Sequence, residues 1–86
     1  MGLDSIEIVI ELEEEFDISI FDSDASKVGT AGDLRNCVLN QLAQEGRAPD
    51  PVEVWIRVRD IVAEQSGIDA HLIYAEARLV QDLQLD

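Results

Sequence analysis

The sequence contains one cysteine, Cys37, and one histidine, His71. A single thiol excludes an internal disulfide and leaves no pair of thiolates for a metal site, which suits a reducing, cytoplasmic environment. We expect Cys37 to be a small buried apolar side chain. Because no cysteine or second histidine can assist it, His71 is predicted to be a loop residue rather than a metal ligand or general base.

Basic residues are also scarce, with 6 Lys and Arg against 19 Asp and Glu and a net charge of −13. Phosphate contacts require Lys and Arg, so this balance excludes binding to nucleic acid or to an anionic membrane and favours partners with basic surfaces. No apolar run approaches the length of a membrane-spanning helix, and no basic-then-apolar leader opens the sequence. We therefore expect a soluble, unexported, cytoplasmic protein.

Sequence motifs of enzymes and of tight metal sites are missing. No nucleophile, base and orienting group stand out as a set, and there is no glycine-rich phosphate loop. Asp22 and Asp24 have the first spacing of a calcium loop, but the required glycine and closing glutamate are absent. We predict a protein that is not an enzyme and has no specific metal site.

The length of 86 residues and the 47% apolar content predict one small all-α domain, near the lower size limit for a single core. Helical patterns run from the residue after Asp4 to about Phe16, from Ala31 to about Gln44, and from Pro51 to a stop at Gly67. Capping signals precede them: Asp4 with Glu7, Thr30 with Asp33, and Asp50 before Pro51. A brief helix is expected at 25–28 and an exposed connection at 45–50.

The apolar residues after Gly67 are expected to fix a long connection onto the bundle. They are Ile68, Leu72, Ile73, Leu79, Val80 and Leu83. The core stripes predicted for the second and third helices are Leu34, Val38 and Leu42, and Val54, Val58, Ile61 and Val62 with Trp55 at the margin.

The opening helix has two apolar faces where a surface helix needs one. The predicted core face consists of Ile8, Val9, Leu12 and Phe16. A second face, about 100° further round, consists of Leu3, Ile6 and Ile10, and the carboxylates of Glu7, Glu13 and Glu14 border it. An apolar patch with an acidic rim on a small domain usually marks a docking surface, although a second element of the same chain could also cover it.

Two parts of the sequence resemble acyl carrier proteins. The stretch LDSIEIVIELEEEFDISIFDSDASKVGTAGDL is similar to the central and C-terminal part of that family. The stretch EVWIRVRDIVAEQSGIDAHLIYAEARLVQDLQLD is similar to its N-terminal part. The motifs EEEFDI, DSDASKV with GTAGDL, EQSGI and VQDLQLD carry the resemblance jointly, and together the two stretches cover nearly the whole chain.

The two parts occur in reversed order, as in a circular permutant. Residues 1–42 match the central and C-terminal part of the family, residues 51–86 match its N-terminal part, and residues 43–50 would join the old termini. The resemblance thus implies a small four-helix bundle of acyl-carrier-protein type with permuted helix order. Such a rearrangement is tolerated when the old ends lie close together at the surface.

The resemblance also implies a function. Acyl carrier proteins, as in fatty acid biosynthesis, hold acyl or related groups as thioesters on 4'-phosphopantetheine attached to a serine. Here Gly2-Leu3-Asp4-Ser5-Ile6 resembles the attachment motif, with Ser5 as the attachment residue and Asp4 beside it. The expected partners are a phosphopantetheinyl transferase and acyl-transferring enzymes with basic patches. They would dock on Leu3, Ile6, Glu7, Ile10, Glu11, Glu13 and Glu14. In this prediction Glu11 extends the acidic rim of the apolar patch.

The sequence is also compatible with other functions and with another assembly. Aligned without gaps from the Glu13-Glu14-Glu15-Phe16 stretch, Gly2 falls on the motif serine, and a helical Ser5 would project on the core side of the opening helix. The fold would then be a carrier that cannot be loaded. An acidic helical adaptor without carrier chemistry is a further possibility. The two family halves could also come from different chains in a domain-swapped dimer rather than from one monomer, which a mass measurement decides.

Overall fold

The computed structural model describes residues 3–83 and 85, except for the side chains of residues 3–5 and 22. It is an all-α bundle, as predicted, with helices α1 (Leu3–Phe16), α2 (Asp22–Ala25), α3 (Ala31–Gln44) and α4 (Pro51–Ser66), followed by a 3-10 turn at Ala70–Leu72. The short helix α2 lies three residues earlier than the predicted 25–28. Within the described residues, the only pairing of extended backbone is an isolated bridge between Thr30 and Arg78.

Helix α4 packs against both α1 and α3 and forms the centre of the bundle. The predicted core face of α1 is confirmed, since Ile8, Val9, Leu12 and Phe16 are all buried. The α3 and α4 stripes are buried as well, except that Ile61 and Trp55 are only partly buried at the margin. One residue per turn from each long helix therefore builds a single core.

The segment after α4 completes this core although it is mostly non-helical. Its buried residues are Ile73, Leu79, Leu83 and Leu85, and they belong to the same cluster as the helix stripes. The prediction that Leu72 and Val80 fix the segment is wrong, because these side chains are 54% and 53% exposed. Irregular backbone has no fixed period, so sequence spacing cannot show which side chains point inward.

The beginning of α3 joins this C-terminal segment to the bundle. The first two amides of the helix donate across the fold: Ala31 N–H to the Ala77 carbonyl at 3.0 Å and Gly32 N–H to the Ala75 carbonyl at 2.8 Å. In return, Leu79 N–H donates to the Gly29 carbonyl at 2.9 Å. Amides at a helix start have no partner within the helix, so the C-terminal segment acts as a cap for α3.

The predicted capping box at Thr30 and Asp33 is confirmed. The Thr30 hydroxyl accepts from Asp33 N–H at 3.1 Å, and the Asp33 carboxylate accepts from the backbone N–H groups of Gly29 and Thr30 at 2.9 and 3.1 Å. The hydrogen bond from Gly29 is the main cause that holds the pKa of Asp33 below its ordinary value; those from Thr30 add to it, and partial burial opposes them. The ionised carboxylate is therefore favoured in the folded state.

This lowered pKa predicts a pH dependence. Because the folded pKa lies below the unfolded one, the ionised Asp33 contributes stability above the unfolded pKa, and that contribution is lost as the pH falls through the folded pKa. Wild-type protein should therefore lose more unfolding free energy between about pH 5 and about pH 2 than the Asp33→Asn variant. Urea denaturation at a series of pH values measures this, and equal losses in the two proteins would contradict it.

Hydrogen bonds hold the connection at 45–50 against the end of α1. Arg47 donates from Nη1 to the carbonyls of Phe16 and Asp17 at 2.8 and 3.3 Å. Asp17 adopts a left-handed conformation with φ of 53°, and Ile18 N–H closes the helix on the Glu13 carbonyl at 3.1 Å. Since α1 carries no basic residue in its last turn, Arg47 places positive charge where the helix dipole is negative.

The other predicted helix signals have mixed outcomes. Asp50 caps α4, because its carboxylate accepts from Val52 N–H at 3.0 Å, and Gly67 ends α4 in a left-handed conformation with φ of 76°. The cap predicted at Asp4 is wrong, because α1 already begins at Leu3 and Asp4 lies inside its first turn.

Candidate docking and carrier site

The second apolar face of α1 is uncovered where the structure describes it. Ile6 is 41% exposed and Ile10 is 47% exposed, which confirms the prediction for these two residues. The side chain of Leu3, the third member of the predicted face, lies outside the described part of the chain. We call Ile6 and Ile10 together the α1 stripe.

The α1 stripe forms one wall of an open groove of about 870 Å³. The opposite wall comes from two separate segments, the α2 region and the C-terminal segment. Besides the α1 stripe, its apolar lining includes Val9, Ile20, Ala25, Val28, Leu79 and Val80. Val80, which is exposed rather than buried in the core, therefore lies at this groove. A groove with such a lining can take an apolar chain.

The carboxylates around the α1 stripe fall into two groups. Glu7 and Glu14 are exposed and free to meet a partner. Glu13 borders the groove but is half-buried, and its Oε2 accepts from Ile20 N–H at 2.8 Å, so it also holds the loop after α1. Glu11 faces α4 instead, where its Oε1 accepts from Gln65 Nε2 at 2.7 Å in a partly buried contact. Its predicted place on the acidic rim is therefore not what the structure shows.

The predicted attachment residues lie at the beginning of α1. Asp4 and Ser5 are the second and third residues of the helix. Their side chains, together with Gly2 and Asp86, fall outside the described residues. The described parts of the C-terminal segment nevertheless come close to α1, since Leu79, Val80 and Gln81 line the groove together with Ile6 and Ile10. The first helix and the C-terminal segment thus share this groove.

A second, smaller cavity of about 230 Å³ contains Cys37. Cys37 is half-buried rather than buried as predicted, and its Sγ lies 4.0 Å from the Asp24 carbonyl oxygen. Burial is the main cause that raises the pKa of this thiol, and the negative charges of Asp24 and Asp33 raise it further. A thiol with a raised pKa stays protonated and is a poor nucleophile.

Metal binding requires converging ligand side chains, and membrane spanning requires a long apolar helix. Nowhere among the described residues do three or more His, Cys, Asp or Glu side chains converge in a way that could hold a metal ion. His71 is exposed on the 3-10 turn. No helix within the described ranges is both long and apolar enough to cross a membrane.

Sequence reasoning found the α1 side of the groove but missed its opposite wall. Ile20, Val28 and Gln81 were not predicted as site residues, and their only signal was the apolar character of Ile20 and Val28. The groove brings them together from segments about sixty residues apart in sequence, and sequence periodicity reports only on neighbours within one element.

The chain was compared with known proteins. No family model matches it, and no solved structure matches it. The resemblance to acyl carrier proteins therefore rests on the sequence motifs.

Proposed function

We propose that this domain is a carrier protein of the acyl carrier type and not an enzyme. It would hold an acyl, aminoacyl or peptidyl group in the cytoplasm on 4'-phosphopantetheine joined to Ser5. The observation that carries the proposal is the groove of about 870 Å³ beside the α1 stripe, because a carried apolar chain needs such a surface next to its attachment helix.

The beginning of α1 supports attachment of a phosphate group there. Ser5 lies in the first turn of α1, where free amides and the positive end of the helix dipole favour a phosphate group. When bound, phosphopantetheine supplies the thiol that holds the carried group as a thioester. The residues of this chain would contribute attachment through Ser5, with Asp4 beside it, and shielding of an apolar chain from water by the groove.

The exposed acids support docking of basic enzymes. Glu7 and Glu14 flank the exposed Ile6 and Ile10, so a partner with Arg or Lys around an apolar depression would find both complementary charge and apolar contact. The partners proposed are the phosphopantetheinyl transferase and the enzymes that load or remove the carried group. The net charge of −13 would speed their encounter at low salt.

Loading tests the proposal directly. Incubation with a phosphopantetheinyl transferase and coenzyme A should add the mass of one phosphopantetheine to the proteolytic peptide that contains Ser5. The Ser5→Ala variant should gain no mass, whereas the Ser23→Ala variant, changed at an exposed serine elsewhere, should be loaded like wild type. A wild-type chain that gains no mass at the Ser5 peptide would refute carriage by this residue.

One observation favours a second candidate, a docking module without a carried group. Ser5 has helical backbone and is not the residue before the helix, in line with the alignment that places Gly2 at the motif serine. A permuted carrier fold that cannot be loaded, or an acidic adaptor, would still present the α1 stripe. For that candidate, Ser5→Ala should leave partner binding unchanged, while Ile10→Asp should weaken it.

A further inference from the structure

Among the described residues that line the groove of about 870 Å³, Glu13 is the only charged one. It is half-buried, whereas Glu7 and Glu14 on the same helix are exposed. A carboxylate beside an apolar surface is costly to bury unless hydrogen bonds compensate for the lost water. Glu13 meets this requirement with the backbone, because its Oε2 accepts from Ile20 N–H at 2.8 Å. The carboxylate of Glu13 is thus bound within its own chain.

Ile20 belongs to the wall of the groove opposite the α1 stripe. It lines the groove together with Ala25 and Val28, and we call these three residues the α2 wall. Glu13 holds the loop before this wall twice, since its backbone carbonyl also accepts from Ile18 N–H at 3.1 Å. Of the described side chains of α1, only that of Glu13 is hydrogen-bonded to the segment that carries the α2 wall. This hydrogen bond therefore joins the two sides of the groove directly.

The backbone connects Ile20 to the rest of the α2 wall. The carbonyl of Phe21, the next residue, accepts from the N–H groups of Asp24 and Ala25, both at 3.0 Å, where α2 begins. The Val28 N–H donates in turn to the Ala25 carbonyl at 3.2 Å. Because α2 has only four residues, helix propensity alone does not hold it in place. A shift of Ile20 would therefore move the whole α2 wall.

We propose that Glu13 is the positioning residue of the groove. Through its hydrogen bond to Ile20 N–H, it holds the α2 wall at the distance from the α1 stripe that an apolar ligand needs. The role belongs to the acceptor oxygen and not to the negative charge. Because a glutamine side chain also presents an oxygen that accepts hydrogen bonds, Glu13→Gln retains the link, whereas Glu13→Ala removes it.

This inference deepens the proposed function and rests on it, because the groove is the surface offered to the carried chain. It assigns Glu13 to the shape of the groove, while Glu7 and Glu14 remain free to meet a basic partner. The groove is present without any attached group, so the role of Glu13 does not require loading of Ser5.

Binding of the neutral apolar dye Nile red to the unloaded chain tests the role of Glu13. Glu13→Ala should raise the dissociation constant about tenfold, as expected for loss of one hydrogen bond to a charged group. Glu13→Gln should bind the dye within about twofold of wild type. Glu14→Ala removes the exposed carboxylate next in sequence and is the matched control, which should also bind like wild type. Circular dichroism confirms that each variant is folded.

A further variant locates the dye. Ile10→Asp places a charge on the α1 side of the groove, so it should also weaken binding of Nile red by about tenfold or more. A dye bound elsewhere on the chain would be insensitive to this substitution.

Amide hydrogen exchange followed by NMR measures the hydrogen bond itself. In Glu13→Ala, the Ile20 N–H should exchange at least about tenfold faster than in wild type, while in Glu13→Gln it should stay protected. The Ile18 N–H is the internal reference, because it bonds to the backbone carbonyl of Glu13 and its side chain is buried in the core. Its exchange should be alike in all variants.

Several results would overturn the inference. They are a wild-type chain that does not bind the dye, dye binding that Ile10→Asp leaves unchanged, and Glu13→Ala with the affinity or the Ile20 exchange rate of wild type. Equally weak binding by Glu13→Gln and Glu13→Ala would also do so, because it would show that the charge matters and not the hydrogen bond. Loading of Ser5 is measured separately, so its failure is distinguishable from all of these outcomes.

Discussion

The Gly32→Ala variant is expected to be less stable than wild type by about 2–3 kcal/mol. A Cβ atom at residue 32 would lie 2.9 Å from the carbonyl oxygen and 3.2 Å from the Cβ of Ala75. That oxygen is backbone and accepts from Gly32 N–H at 2.8 Å, so relief of the overlap requires the C-terminal segment to move and the hydrogen bond to lengthen. Urea denaturation followed by circular dichroism measures the loss.

The sign of this change in stability shows whether helix propensity or packing against the C-terminal segment dominates at residue 32. In an isolated helix, alanine is more favourable than glycine by about 1 kcal/mol, so helix propensity alone predicts a more stable variant. Gly29→Ala is the matched control, because the added Cβ would meet only the Asp33 Oδ2 atom, at an ordinary 3.7 Å. We expect its stability to lie within about 0.5 kcal/mol of wild type. An unchanged or raised stability for Gly32→Ala would mean that the C-terminal segment does not pack closely on α3.

The Leu85→Ala variant is expected to lose about 2–4 kcal/mol of unfolding free energy. Leu85 is only 1% exposed, shares the core cluster with Ile8 of α1, and donates its N–H to the Leu79 carbonyl at 2.8 Å. Truncation to alanine leaves a cavity in this core cluster. A domain of this size has a total unfolding free energy of about 5–10 kcal/mol, so the melting temperature should fall by more than about 10 °C.

Val80→Ala is the control for this substitution. Val80 belongs to the same segment, but it is 53% exposed, so its truncation should change the unfolding free energy by less than about 0.5 kcal/mol. Thermal unfolding of both variants and the wild type gives the comparison. If Leu85→Ala were as stable as Val80→Ala, the end of the chain would not complete the core, and the bundle would consist of the three long helices alone.

The groove and the docking surface were predictable only in part. The wheel positions of Ile6, Ile10 and the core face follow from 100° per residue, so the exposed stripe could be derived before any coordinates. The same geometry could not show what lies beside each face. Glu11 was therefore assigned to the acidic rim, whereas α4 packs there and Gln65 binds its carboxylate.

The cysteine shows a similar limit. A lone cysteine is usually buried, yet Cys37 is half-buried because it borders the small cavity between α2 and α3. Composition predicts the average environment of a residue type, while the local cavity depends on how two helices and a loop meet.

The sequence by itself determined the three long helices. Local signals set the bounds of α3 and α4, because caps such as Thr30 with Asp33 and Asp50 before Pro51 act within a few residues and need no distant partner. The core stripes followed from helical periodicity for the same reason. The short helix α2 was predicted three residues too far along the chain, because a helix of four residues has too little local preference to fix its position.

Only the tertiary structure decided the course of the C-terminal segment, the groove wall it forms, and the cap it provides for α3. These features depend on hydrogen bonds between residues more than forty positions apart, such as Gly32 N–H to the Ala75 carbonyl. Such backbone contacts leave no pattern in side-chain order, because any residue can supply a carbonyl oxygen. The position of the C-terminal segment, and hence its backbone hydrogen bonds, depends on which of its apolar side chains fit into the space between the three long helices.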